Sequence, residues 1–278
     1  MGVEAGTSGA AAGCVRVAWR GRPLDLECAW VGDPASSLPV VVFLHEGLGS
    51  VAMWKEFPAR FCEANGLRGF VFSRYGYGRS TPRPHHEHWS PDFMHRQAHE
   101  VLPALFAAVG IERPWLFGHS DGGSIALLHA AAFDCAGLVV VAPHLFVEDV
   151  SITSIEAARV AYESTDLRVR LARYHDDPDS AFHGWNDVWL DPAFRRWSIE
   201  AEVSSIDCPI LAVQGVDDEY GTLEQVRAIA RRLPKTRLLE LPNCGHSPHR
   251  DQPERLIDEA GRFIVETEAR RSAAASGS

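Results

Sequence analysis

The 278-residue chain has no run of about 18 consecutive apolar residues, so no stretch of it reads as a membrane span. It has no Cys-x-x-Cys pair either. Cys14, Cys28, Cys62, Cys135, Cys208 and Cys244 are scattered, without zinc or redox spacing. They read as small buried hydrophobes in a reducing compartment, with a secreted, disulfide-bonded chain as the alternative that an even count leaves open. An excess of basic charge is also missing: 27 Lys and Arg stand against 37 Asp and Glu, a net charge of −10. That balance argues against a nucleic-acid or anionic-membrane surface. There is no Gly-x-Gly-x-x-Gly unit and no Gly-rich phosphate loop, so no nucleotide cofactor is expected, and there is no internal repeat. Residues 1–13 are Gly/Ala/Ser-rich, with neither a basic start nor an apolar core, and are expected to be a disordered tail rather than a signal peptide. The expectation is a cytoplasmic protein, monomer or homodimer, whose partner is a small-molecule substrate.

What is present is an ordinary globular composition, 46% apolar and 23% charged, enough for one large domain or a domain with an insertion. Its most informative stretch is Pro114-Trp115-Leu116-Phe117-Gly118-His119-Ser120-Asp121-Gly122-Gly123. A short apolar run ends in Gly-x-Ser-x-Gly and is followed by the alanine- and leucine-rich Ser124 to Ala130, which reads as strand, sharp turn and helix. A serine at the apex of so tight a turn is strained, and its neighbours two before and two after must lack side chains. The turn lifts the Ser120 hydroxyl clear of the sheet and aims the first amides of the helix at negative charge developing beside it.

Taken in order, Cys14–Trp19 and Leu24–Val31 alternate about Arg20-Gly21-Arg22-Pro23 and read as a hairpin at an antiparallel edge. Pro39–Leu44 is a continuous apolar strand that runs into His45-Glu46-Gly47-Leu48-Gly49. A helix is expected over 51–65, a strand over 69–73, a helix over 91–109 and a strand over 138–143. The strand–helix alternation stops between about 146 and 206, where helical patterns rich in Trp, Phe and Tyr suggest an inserted helical cap. It resumes with strand 209–214, helix 222–233, strand 236–241 and helix 253–268. The expected division is core 14–145, cap 146–206, core 207–270, and a polar tail 271–278. Alternating strands and helices imply a mainly parallel sheet with helices on both faces, whose ligands bind at the carboxyl ends of the strands.

Four regions lie just past such ends: His45–Gly49, Ser120, Asp217-Asp218-Glu219, and Gly245-His246. In chain order they read serine, acid, histidine. That order, with the Gly-x-Ser-x-Gly turn, resembles the α/β-hydrolase fold with a helical cap, over about Cys14 to Val265. The resemblance implies His246 as general base, with His249 as the alternative, and an acid three residues past the strand-end Gly215, hence Asp218, with Asp217 as the alternative. It implies an oxyanion hole from the amides of Asp121 and Gly47. The chain departs from the common His-Gly-x at Glu46, where a structural hydrogen bond or a polar contact to substrate is expected. Trp54, Trp185 and Trp189, with Glu46, are the expected pocket residues; Phe182, His183, Phe194 and Trp197 add aromatic surface, although such residues commonly pack helices together. Tyr75–Ser80 resembles a structural turn of the family. His85-His86-Glu87-His88 lie on a Pro-rich loop that does not make adjacent histidines converge, and no metal is expected.

The leading reading is therefore a serine hydrolase of a small carboxylic ester with an apolar or aromatic moiety, acting through an acyl-enzyme and needing no cofactor. Ring-fission-product hydrolases of the same fold cleave carbon–carbon bonds and need a cationic grip, for which Arg74, Arg79, Arg168, Arg170 and Arg173 are candidates. Thioester cleavage is a further alternative, and a small-molecule receptor the non-enzymatic one. A haloalkane or epoxide route is disfavoured, because it takes a carboxylate nucleophile where this chain has Ser120.

Overall fold

Val40 to Leu44 are buried without exception, and this apolar run sits at the middle of an eight-stranded sheet. The computed structural model describes residues 12–276. The strands are β1 (Ala12–Trp19), β2 (Arg22–Val31), β3 (Val40–Leu44), β4 (Arg68–Phe72), β5 (Trp115–His119), β6 (Gly137–Val141), β7 (Ile210–Gly215) and β8 (Arg237–Leu241). Their spatial order is β1-β2-β4-β3-β5-β6-β7-β8. The hairpin β1–β2 and the pair β2–β4 are antiparallel, and every pairing from β4 to β8 is parallel. Strands β3 to β8 therefore present their carboxyl ends along one edge, as the strand–helix alternation requires.

The helices are α1 (Phe57–Asn65), α2 (Phe93–Arg96), α3 (Leu102–Val109), α4 (Asp121–Ala130), α5 (Asp149–Ser164), α6 (Leu167–Leu171), α7 (Pro178–Trp189), α8 (Glu200–Val203), α9 (Glu224–Arg232), α10 (Pro248–Asp251) and α11 (Pro253–Ser276). On one face of the sheet, Phe57 and Phe61 of α1 meet Phe43, Trp54 and Phe117, joined by Leu256, Ile257 and Ile264 of α11. On the other face α3, α4 and α9 share a core with the insertion, whose Ile155, Tyr162, Phe182 and Phe194 are continuous with Leu105, Ile125 and Val226. Most insertion aromatics pack on one another: Phe182 stacks on Tyr162 with centroids 3.8 Å apart, and Phe194 lies 4.9 Å from Trp189 and 5.1 Å from Trp197.

Three expected elements differ in detail, each for a backbone reason. The helix expected over 51–65 is a 3-10 turn, Ala52–Trp54, followed by α1; Lys55 turns the chain at φ 52°, and Pro58 restarts it within the first turn, where its missing N–H costs nothing. The helix expected over 91–109 runs through a π-helical segment, Gln97–Val101. Pro103, one residue into α3, has no N–H for the carbonyl four residues back, and the wider turn absorbs the mismatch. The last helix runs to Ser276, into the segment expected as a tail, with Arg271 reaching Glu268 at 2.8 Å and lying 5.7 Å from the Trp115 ring. Residues 1–11 and 277–278 of the expected tails lie outside the described residues. No described helix is long and apolar enough to cross a membrane, and all six cysteines are unpaired.

Phe43 touches Phe117, Trp54 and Phe61 at centroid distances of 5.3, 5.7 and 6.0 Å, so it ties the central strand to α1. Phe43→Ala is expected to lower the unfolding free energy by about 3–5 kcal/mol. A urea titration checks this: the midpoint should fall at unchanged slope, and a loss below about 1 kcal/mol would mean that the cluster repacks.

Candidate active site

Ser120 sits between β5 and α4 at φ 53°, ψ −121°, a conformation that a side chain makes costly. Space, rather than torsion, demands the glycines around it. A Cβ on Gly118 would overlap the Gly122 carbonyl, and one on Gly122 would overlap the Leu44 carbonyl of β3. The strained residue is held by neighbours: Ser120 N donates to Val141 O at 2.9 Å, and Gly123 N and Ser124 N donate to Ser120 O at 2.8 and 3.0 Å. Ser120 keeps 7% exposure, and none of the described hydrogen bonds uses its hydroxyl.

The three carboxylates after β7 separate by what they touch. Asp217 is exposed, and its backbone N–H donates to Cys244 O at 2.9 Å. Glu219 accepts from the His246 backbone N–H at 3.2 Å. The Asp218 side chain is buried, with both carboxylate oxygens 2.9 Å from His246 Nδ1. Its Oδ1 also accepts from Tyr220 N at 2.8 Å, and its Oδ2 from Gln214 Nε2 at 2.6 Å. Burial pushes the Asp218 carboxyl up, but the His246 imidazole and the Tyr220 amide outweigh it and leave it below its ordinary value. Because a carboxylate only accepts, Nδ1 of His246 carries a hydrogen, so in the neutral ring the lone pair sits on Nε2. The other histidine, His249, turns into the aromatic core, 5.1 Å from Trp54 and 5.7 Å from Phe57.

The loop after β3 is pinned through its carbonyls. Arg74 N donates to His45 Nε2 at 3.0 Å, so His45 carries its proton on Nδ1, which donates to Glu46 O at 2.7 Å. Arg74 Nη2 donates to the same oxygen at 2.7 Å. In a trans peptide the N–H points opposite to the C=O, so fixing Glu46 O also aims the Gly47 amide. Two insertion residues close on this region. A Cβ on Gly47 would overlap the Trp185 indole, and Trp189 Nε1 donates to Asp121 Oδ1 at 3.2 Å. The Glu46 carboxylate points to His119, at 3.6 Å, and Arg250, at 3.5 Å. Trp54, 3% exposed, is spent on the aromatic core.

The chain matches the alpha/beta hydrolase family over residues 41–259. It belongs to that family. It is 23% identical over 284 residues to the sn-1-specific diacylglycerol lipase of Mus musculus, covering 88% of this chain and 86% of the lipase. In fold it is similar to a thermophilic esterase from Thermogutta terrifontis, with a TM-score of 0.70 and 19% identity over 92% of this chain and 98% of that one. An esterase from Rhodococcus sp. ECU1013 superposes with a TM-score of 0.67 at 21% identity, over 91% and 98%. The chain is thus a hydrolase of this family.

Four further residues surround this candidate site. Arg74, 1% exposed, lies 4.7 Å from the Tyr77 ring and 4.0 Å from Asp121, which accounts for a cation deep in the core. His175, from the insertion, accepts from Gly78 N at 2.9 Å on Nδ1 and so donates from Nε2 to Leu48 O, also at 2.9 Å. His144 follows β6, its ring 4.9 Å from Trp189 and 6.1 Å from His246. His119 precedes Ser120. The strand-end rule that selected Ser120 and His246 also reaches His119 and His144, whereas nothing local marks His175. Among the described residues no group of three or more His, Cys, Asp or Glu could hold a metal ion, and His85 pairs with Asp177 at 2.8 Å instead.

Burial holds His45, His175 and His249 below the ordinary histidine range and brings His144 down to about 3, the nearby His246 adding to it. An unfolded chain protonates these groups near pH 6.5, so below that it binds more protons than the native state and stability falls with pH. Asp121 acts in the opposite sense: burial raises it to about 6 against the pull of Arg74, favouring the native state in acid. These four imidazoles, with His129 likewise lowered by burial, outweigh one carboxyl. The expected outcome is a melting temperature several degrees lower at about pH 5 than at about pH 7.5, a gap that narrows in His175→Gln, measured by scanning calorimetry. A flat or inverted profile would show that these histidines are not held neutral. Gly122→Ala tests the turn: the overlap with Leu44 O is expected to cost about 3 kcal/mol or more and to leave little folded protein.

Proposed function

We propose that Ser120, His246 and Asp218 form an acyl-transfer triad, that the amides of Gly47 and Asp121 form its oxyanion hole, and that the helical insertion is a cap over it. The observation that carries the reading is the His246–Asp218 contact, two 2.9 Å approaches that put a hydrogen on Nδ1 and make Nε2 the basic nitrogen of the neutral ring, on the same sheet edge as a serine held at φ 53°. His246 Nε2 removes the Ser120 proton as Oγ attacks the acyl carbon, and Asp218 stabilises the resulting imidazolium. The negative charge on the acyl oxygen is met by the first amide of α4 and by the Gly47 amide, whose peptide Arg74 holds from behind. Return of the proton expels the alcohol; water activated by the same imidazole then releases the acid.

The substrate we propose is a small carboxylic ester with an apolar or aromatic moiety. Trp185 against Gly47 and Trp189 against the Asp121 carboxylate support it, since both bring an indole to a residue of the proposed oxyanion hole. The carbon–carbon reading loses support because three of its five candidate cations are engaged elsewhere. Arg74 is committed to Glu46 O, Arg168 pairs with Asp179, and Arg170 pairs with Asp166 on the exposed side of the insertion. A cytoplasmic location belongs to the same proposal and is supported by the unpaired thiols.

A panel of activated esters from acetyl to aromatic acyl, with a thioester and a vinylogous keto acid beside them, tests the reading in burst and steady state. Ser120→Ala is expected to keep the fold and lose about a thousandfold or more in turnover. Undiminished turnover in the variant would remove Ser120 from the mechanism, and turnover of the keto acid alone would replace the ester assignment.

A further inference from the structure

His119 has no part in the proposed chemistry, yet its imidazole meets all three loops that do. It ends β5 beside Ser120, and its ring is 1% exposed. Its Nε2 lies 2.7 Å from the His246 carbonyl oxygen, which can only accept, so Nε2 carries a hydrogen. Its Nδ1 faces Glu46 Oε2 at 3.6 Å, and the other Glu46 oxygen faces Arg250 Nη2 at 3.5 Å. The neighbouring rings are those of His249, His246 and Trp54, with centroids 4.8, 5.1 and 6.5 Å away.

This matters because the candidate base enters from the weakest part of the sheet. Ser120 follows a strand buried at every position, whereas His246 follows β8, an edge strand whose residues are mostly half-buried or exposed. A base on such a loop needs a tether to the nucleophile, since an error of about 1 Å in its position costs about a hundredfold in rate. Resting on the triad reading above, we propose that Glu46 and His119 are a positioning pair, joining the oxyanion loop, the nucleophile turn and the backbone of His246 so that the base is held in register with Ser120. Glu46 occupies the position where the family commonly has glycine, and its carboxylate is what this chain adds. Burial alone would raise the Glu46 carboxyl, but the His119 imidazole holds it well below the usual carboxylate range.

The test compares wild type with Glu46→Gln, His119→Gln and the double variant. Three readouts are taken: melting temperature, steady-state kinetics on the ester that wild type hydrolyses best, and the downfield NMR resonance of the His246 Nδ1 proton. The positioning role predicts native-like melting, KM changed by less than about twofold, and kcat lowered about 10- to 100-fold in each single variant. The double variant should lose no more than the worse single one, because both remove the same tether. The His246 resonance should shift or broaden in both singles. Additive losses, a fall confined to KM, or an unmoved resonance would overturn the pair. Glu46→Gln, nearly isosteric, carries the test by itself if His119→Gln does not fold. If wild type hydrolyses no ester, the acyl-transfer reading fails separately, and the resonance still decides whether Glu46 and His119 hold His246.

Discussion

Everything at the candidate site depends on how closely three pieces of backbone approach one another at Ser120. The carbonyls of Leu44 and Gly122 occupy the space where side chains on Gly122 and Gly118 would lie, so β3, β5 and α4 are locked together with no slack. Ser120 takes up the geometric misfit at φ 53°. A strained residue persists only where its surroundings over-determine it, and here two glycines, the Val141 carbonyl and the first turn of α4 do so. The strain thereby holds a hydroxyl at the head of a helix, where the macrodipole favours negative charge.

The polar framework around that turn is built largely from neutral imidazoles. His45 and His175 each accept from one backbone N–H and donate to one backbone carbonyl, so each joins two chain segments without a buried charge. A lysine could only donate and a carboxylate only accept; a neutral histidine does both, and burial keeps it neutral. Both imidazoles act on the Glu46–Leu48 loop, one from the core and one from the insertion. The insertion thus grips the loop whose Gly47 lies against the Trp185 indole. Arg74 is the exception, a buried cation with Asp121 at 4.0 Å and an aromatic face at 4.7 Å to offset its desolvation.

Period, turn chemistry and strand order were legible in the amino-acid sequence alone. The apolar runs named the parallel strands, Gly-x-Ser-x-Gly named the turn, and the rule that ligands gather at strand carboxyl ends brought Ser120, Asp218 and His246 to one edge before any coordinates. These are local signals, or consequences of chain order. The choice among Asp217, Asp218 and Glu219 came from family spacing; in the fold only Asp218 meets the His246 ring, while Glu219 meets its backbone. Trp54 and Trp185 looked alike as aromatic candidates. Tertiary packing alone divided them, sending Trp54 into the core beside Phe43 and laying Trp185 over Gly47.

The pairings that stayed illegible are those between residues remote in sequence. His119 meets a carbonyl 127 positions away, and His175 meets one 127 positions away in the other direction. No periodicity encodes such a pairing, because it follows from how strands and insertion are stacked rather than from what flanks the residue. Sequence by itself determined the elements, their order and the edge where reactive side chains collect, since these rest on local backbone preference and alternating burial. Only the tertiary structure decided which polar atoms are satisfied by which, because a hydrogen bond depends on distances of a few tenths of an ångström between segments that local preference does not relate.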